Sequence, residues 1–136
     1  MNRRTVINAI KPSFYYLLAA LFLLFEMGVQ SSPNVMTSRL IKDLGVGSAS
    51  LGVAVGMYFV SYTFMQIPVG LLYDRMSAKV ILIGATLFCA VGAYFFSLAD
   101  TVWVLGLARF LMGFGSSFAF VGVLVIANQW FVPRYF

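Results

Sequence analysis

Glu26 is the residue whose type and position most demand a chemical explanation. It lies near the middle of the apolar run 14–35. A carboxylate at the midplane of a bilayer costs roughly 2.5–3.5 kcal/mol or more unless it is paired, hydrated or protonated. Desolvation disfavours its charged form, which suits a proton-coupling group. Gln30 and Pro33 follow at plus four and plus seven, so all three share one helical face. Two readings stay open. Glu26 lines a cavity and binds substrate or proton, or it is a protonated, hydrogen-bonded acid that ties two helices together. Arg109, in the run 102–127, raises the same question, with Gly113 and Ser116 on its face. Arginine stays charged, so it needs a partner, a carbonyl cluster or water. The alternative is snorkelling toward the outer face, since the helix end is within about 12 Å. Tyr58, Tyr62 and Gln66 recur at a spacing of four in the run 51–73. A tyrosine offers a ring for stacking and a hydroxyl for a polar group of a substrate. Hydrogen bonds between helices explain the same pattern.

Other chemistries lack their residues. The chain has no histidine, and its one cysteine, Cys89, lies in an apolar run. Disulfide frameworks and Cys/His metal sites are thereby set aside. No nucleophile stands beside a base, and no phosphate-cradling glycine loop follows a strand. An enzyme, a cofactor and a metal are all unexpected. The net charge of +5 could suggest nucleic acid. The basic residues flank apolar runs, however, where the positive-inside rule puts them, so no nucleic-acid partner is expected.

The elements that carry these residues are legible in composition. The chain is 62% hydrophobic and 10% charged, against roughly 25% charged in a soluble domain. A water-soluble fold of 136 residues could not hide that much apolar surface. The expected class is all-α integral membrane, with four transmembrane helices at 14–35, 51–73, 80–98 and 102–127. Arg3, Arg4 and Lys11 precede the first run and give it the look of a signal peptide. The run is too long for a signal core and contains Glu26. Tyr15 and Tyr16 suit the headgroup level. Pro33 and Asn34 weaken the first helix near its end. Arg39, Lys42 and Asp43 call for water, Gly45 and Gly47 break the chain, and Ser48 or Ser50 can cap the second helix. Gly52 and Gly56 form a Gly-x-x-x-Gly step for close helix approach. Pro68 is expected to kink the second helix. Ala85, Cys89 and Ala93 make a small-residue stripe on the third. Gly113, Gly115, Ser116 and Ser117 read as packing residues on the fourth. Asp100 and Thr101 form a short turn, and Asn128, Gln129 and Trp130 mark an interface.

Loop charge sets an expected orientation. Arg3, Arg4, Lys11, Arg75, Lys79 and Arg134 fall on one side, and only Arg39 and Lys42 on the other. That asymmetry puts both chain ends and the loop around Asp74 in the cytoplasm of a bacterial-type inner membrane.

The loop itself, Gly70-Leu71-Leu72-Tyr73-Asp74-Arg75-Met76-Ser77-Ala78-Lys79, resembles the signature between helices 2 and 3 of the major facilitator superfamily, Gly-x-Leu-x-Asp-Arg-x-Gly-Arg-Lys. Gly70, Leu72, Asp74, Arg75 and Lys79 match; Ser77 and Ala78 depart. Arg109-Phe-Leu-Met-Gly113-Phe-Gly115 is similar to the family's Arg-x-x-x-Gly-x-Gly stretch. Gln66-Ile67-Pro68-Val69-Gly70 also looks like bacterial members. The resemblance implies part of an N-terminal six-helix bundle in a twelve-helix secondary transporter. Such a protein moves a small organic solute by alternating access, coupled to protons. It makes Glu26 the proton or substrate group, and Gln30, Tyr58, Tyr62 and Arg109 the path. Gly70, Asp74, Arg75 and Lys79 become a conformational latch. It also implies a truncated reading frame or fragment, ending at Trp130-Phe131-Val132-Pro133-Arg134 before a fifth helix, whose partners are the bilayer and the missing C-terminal helices. Two other readings remain: a non-transporting structural membrane protein, and a four-helix multidrug-type pump acting as a dimer.

Overall fold

The computed structural model describes residues 3–131, with side chains from Phe14 to Asn128 except Tyr15. Pro133 and Arg134 lie outside the described residues. So do the side chains of Arg3, Arg4, Lys11, Tyr15, Gln129 and Trp130.

Four helices follow one another: α1 (Arg3–Leu44), α2 (Ser48–Arg75), α3 (Ala78–Ser97) and α4 (Val102–Phe131). No strand occurs among the described residues. Each helix holds a stretch long and apolar enough to cross a membrane: Tyr16–Leu44, Ser48–Arg75, Ala78–Ser97 and Val102–Asn128. The 20 residues of α3 rise about 30 Å, the thickness of a hydrocarbon core. The outward faces are apolar as well. Leu24 is 68% exposed, Phe64 76%, Ile67 80% and Trp103 84%. Water does not tolerate so continuous an apolar surface, whereas lipid tails do. The chain is an all-helical integral membrane protein.

The first helix runs further than the expected 14–35. It continues through Pro33 to Leu44, so Arg39, Lys42 and Asp43 sit on its last turns, exposed, rather than in a loop. A proline has no N–H and leaves the carbonyl four residues earlier without its helical donor. Here that carbonyl belongs to Val29, and the Ser32 hydroxyl donates to it at 2.9 Å. The Thr37 hydroxyl donates to the Pro33 carbonyl at 2.9 Å. A side chain that satisfies the freed carbonyl, here Ser32 on Val29, lets a membrane helix pass through proline. The true stop is Gly45, at φ +61°. The Val46 N–H then bonds the Ile41 carbonyl at 3.3 Å, the closure that a left-handed residue permits after a helix.

The other joints are short. Gly47, not a serine, is the N-cap of α2, because Ser48 already has helical geometry. Pro68 lies inside α2 without interrupting it. Only Met76 and Ser77 separate α2 from α3. The Met76 N–H returns to the Leu72 carbonyl at 2.9 Å, and Ser77 is the N-cap of α3. So tight a joint forces α2 and α3 to run antiparallel. Thr101 starts α4 by accepting the Val104 N–H at its hydroxyl, 3.4 Å, in the turn expected there.

Helix α4 is the hub. Its apolar window is 56% buried, against 17%, 17% and 22% for the others. Its small residues allow this. A Cβ built on Gly113 would collide with the Tyr58 carbonyl and the Ser61 hydroxyl of α2. One on Gly115 would lie 2.6 Å from the Ala85 carbonyl of α3. Of the stripe Ala85, Cys89 and Ala93, the first two are therefore a packing face against α4, while Ala93 is half-buried. Gly52 and Gly56 are different: nothing among the described residues lies within 4 Å of a Cβ there. Their close-approach role is not realised within these four helices.

Apolar clusters hold the two ends of the bundle. Leu51, Ala54 and Leu105 form one. Val69, Tyr73, Ile81, Ala85 and Phe118 form another, with Ala19, Val123 and Ile126 beside it. Between them, along one stretch of α4, lie the buried polar residues Arg109, Ser116 and Ser117.

Gly113→Ala is expected to lower bundle stability by about 1–3 kcal/mol, the usual cost of overpacking. Gly56→Ala is expected to be neutral or slightly stabilising, since alanine is the better helix former by about 1 kcal/mol. Thermal unfolding in detergent micelles compares them. Equal effects of the two substitutions would contradict the packing described.

Candidate functional site

The polar layer is built from all four helices. Helix α1 supplies Glu26, 3% exposed, and the carbonyls around Pro33. Helix α4 supplies Arg109, fully buried, and Ser116. Helix α2 brings Tyr58 and Ser61, and α3 brings Cys89.

Arg109 points inward. Its Nη1 donates to the Val29 carbonyl at 3.0 Å, and its Nη2 to the Gln30 carbonyl at 3.3 Å. The snorkelling alternative is thereby settled against. Val29 is the residue whose carbonyl Pro33 deprives of a helical donor. The guanidinium joins the Ser32 hydroxyl on that carbonyl with a charge-assisted bond, roughly twice as strong as a neutral one. On its other side the guanidinium carbon lies 4.6 Å from the Tyr58 ring centroid, a desolvated cation–π contact. Tyr62 stacks on Tyr58 nearly parallel, centroids 6.2 Å apart at 11°. The aromatic spacing read on α2 thus forms a platform beside the cation.

Glu26 faces the same layer. Its Oε2 is hydrogen-bonded with the Ser116 hydroxyl. The Ser116 hydroxyl also reaches the Met112 carbonyl at 2.8 Å, and Cys89 Sγ is 3.9 Å from it. Ser61 closes the crossing of α2 and α4 by donating to the Phe110 carbonyl at 2.7 Å. Among the described residues, two buried side-chain atoms have no hydrogen-bond partner: Glu26 Oε1 and Arg109 Nε. One accepts and the other donates, so the layer retains capacity for a further polar group.

The expected site residues divide in three. Glu26, Arg109 and Tyr58 are brought together, and Tyr62 adjoins them. Gln30 contributes its carbonyl, while its side chain is only half-buried. Gln66 is exposed on α2, apart from the layer. Gly70, Asp74, Arg75 and Lys79 are exposed at the α2–α3 joint, the right place for a charged loop at a membrane face. Ser116, Cys89 and Ser61 were not singled out as polar partners. Ser116 stands seven residues, two turns, after Arg109, which was the signal available in the sequence. Serines of this kind read equally well as small packing residues.

Four apolar helices around one buried, charged, incompletely satisfied layer define a polytopic membrane protein. The comparisons specify the family. The sequence profile of the Major Facilitator Superfamily matches residues 16–135, and the chain belongs to that superfamily. It is 32% identical over 108 residues to the inner membrane transport protein YajR of Escherichia coli K12, covering 79% of this chain and 24% of that protein. It is 29% identical over 128 residues to a probable galactarate/D-glucarate transporter, GudP, of Pseudomonas putida, covering 88% and 28%. A quinolone resistance transporter of Acinetobacter baumannii is 29% identical over 93 residues, covering 68% and 21%. The chain thus spans about a quarter of the length of these curated relatives. No solved structure matches it.

The pairing of Pro33 with Arg109 can be tested. Arg109→Met is expected to cost about 1.5–3 kcal/mol, the value of a hydrogen bond from a charged group. In a Pro33→Ala background the same change is expected to cost clearly less, because residue 33 then supplies the N–H that Val29 lacks. Unfolding midpoints of the four proteins close the cycle. An identical Arg109→Met cost in both backgrounds would show that the two residues do not share the carbonyl.

Proposed function

We propose that this chain works as the N-terminal portion of a secondary active transporter, moving a small organic solute across the inner membrane by alternating access coupled to protons. One observation carries the reading: Glu26 and Arg109, both buried within the spanning region, each keep an atom without a partner. A layer that served packing alone would leave neither, because an unsatisfied buried polar atom costs about 1–3 kcal/mol. A proton on Glu26, or a polar group of a solute bridging Oε1 and Nε, uses that capacity. Tyr58 and Tyr62 offer an aromatic wall beside it, and Gln30 flanks it on α1. The names of the relatives, which include a probable galactarate/D-glucarate transporter and a quinolone resistance transporter, support a small organic solute as the class.

On this proposal the remaining helices of the transporter cover the exposed apolar faces of α1 to α3 and complete the path. Both chain ends and the α2–α3 joint face the cytoplasm. Gly70, Asp74, Arg75 and Lys79 act there as a latch. Their charges favour one arrangement of the helices and release another, which is how a rocking bundle is gated.

Glu26→Gln in the assembled transporter is expected to abolish proton-driven uptake while leaving the protein in the membrane. Solute flux into proteoliposomes across a pH series measures it, and unchanged flux at every pH would remove the role. Orientation has its own test. With Cys89 replaced by serine, a cysteine placed at position 75 or 79 is expected to react with a membrane-impermeant thiol reagent only from the cytoplasmic side. Labelling from the outer side would overturn the topology.

A further inference from the structure

Helices α1 and α3 both pack on α4 and hardly meet each other. The space left between them is an apolar groove of about 680 Å³. Leu18 and Phe22 form one wall, Leu82 and Leu87 the other, and Ile126 of α4 the floor. The floor is closed, because Ala19, Val123 and Ile126 pack together. At the end beside the α2–α3 joint the lining changes character. Ser77 and Lys79 stand there, and Lys79 is the one charged residue of the lining among the described residues. Ser77 is the N-cap of α3, yet its side chain makes no bond to the first N–H groups of that helix. Hydroxyl, ammonium and uncapped helix start are therefore gathered at one mouth of an oily recess.

The length of the recess separates its possible occupants. From Ser77 to Leu87 the lining of α3 covers ten residues, a rise of about 15 Å. That is half of the roughly 30 Å hydrocarbon core. A helix that crosses the bilayer needs contact over the whole core, so this recess is too short to seat one. A partner helix can lie over α1 and α3 and still leave it unfilled. An acyl chain of one leaflet has the matching depth, and its headgroup would reach the level of Ser77 and Lys79.

We propose that the groove between α1 and α3 holds an acidic phospholipid of the adjoining leaflet. One acyl chain lies along Leu18, Phe22, Leu82 and Leu87. The phosphate meets Lys79 Nζ, Ser77 Oγ and the first N–H groups of α3. Charge selects the headgroup. The joint carries Arg75 and Lys79 against Asp74, and a basic site between membrane helices favours an anionic lipid. The start of α3 adds N–H donors and the positive end of the helix dipole. Such a lipid ties α3 to α1, two helices that the protein itself leaves apart. The inference goes beyond transport and does not depend on it: lipid binding here holds or fails whether or not Glu26 exchanges a proton.

Native mass spectrometry of the full chain tests this, after purification from vesicles of equal parts phosphatidylglycerol, phosphatidylethanolamine and phosphatidylcholine. Phosphatidylglycerol is expected to be retained over the other two by about fivefold, the worth of one basic residue at an anionic surface. Lys79→Ala, at an exposed side chain, is expected to remove that preference, and Lys79→Arg to keep it. Lys42→Ala, at the far end of the bundle, is expected to change nothing. Thr86 lines the groove and is exposed, so Thr86→Phe fills the recess and is expected to abolish retention of all three lipids. Equal retention of the three by the unsubstituted chain, or a preference for phosphatidylethanolamine, would overturn the proposal. So would a phosphatidylglycerol preference that survives Lys79→Ala, or retention undiminished in Thr86→Phe.

Discussion

A missing hydrogen determines how α1 and α4 meet. Pro33 withholds an N–H from the Val29 carbonyl, and inside a bilayer no water replaces it. Arg109 answers with Nη1 on Val29 and Nη2 on Gln30. Ser32 gives that carbonyl one donor from within α1, and Arg109 gives it the donor that crosses between helices; an unpaired guanidinium in lipid is expensive, and the two carbonyls offset part of that cost. The contact is also directional. A planar fork on two successive carbonyls fixes the rotation of α1 about its axis, and thereby turns Glu26, one turn earlier on the same face, toward α4.

The rest of the bundle follows from bringing α4 that close to its neighbours. Helix association in lipid lacks a hydrophobic drive between the helices and depends on close packing and interhelical hydrogen bonds. Gly113 lets the α2 backbone at Tyr58 approach, and Gly115 does the same for α3 at Ala85. Ser61 converts the first approach into a hydrogen bond. Apolar clusters then seal the layer at both ends. The polar layer is enclosed by hydrocarbon on two sides, which lowers the local dielectric and strengthens every charge interaction within it.

What the sequence made legible were properties that survive averaging over a helix. Apolar run length gave four spans, because the bilayer fixes how many residues a crossing needs. The midspan charges drew attention for a similar reason, since Glu26 and Arg109 are costly wherever they point. What it concealed depended on partners. Pro33 looked like a weakening of the first helix, and one of the two residues that support it, Arg109, lies in α4. Gly52 and Gly56 looked like a packing step, and no described neighbour uses them. Ser116 looked like filler because its acceptor is far away in the chain. Gly45 reads as a break and is one; the polar stretch before it misled for a local reason, since it reads as a loop yet stays helical to Leu44.

On the transporter proposal, the incomplete bonding of the layer is what a transport site would need. A fully satisfied network rigidifies one arrangement, and a ligand shifts an equilibrium only by interacting differently with its two states. Arg109 is committed at two of its nitrogens and free at the third; Glu26 is committed at one oxygen and free at the other. The committed atoms hold α1 to α4, so the layer keeps its shape without a solute. The free atoms can respond to a proton or a polar group without breaking that hold. Division of each charged side chain between a structural bond and an open valence lets one pair of residues serve both needs, where a layer of purely structural serines or purely open charges could serve only one.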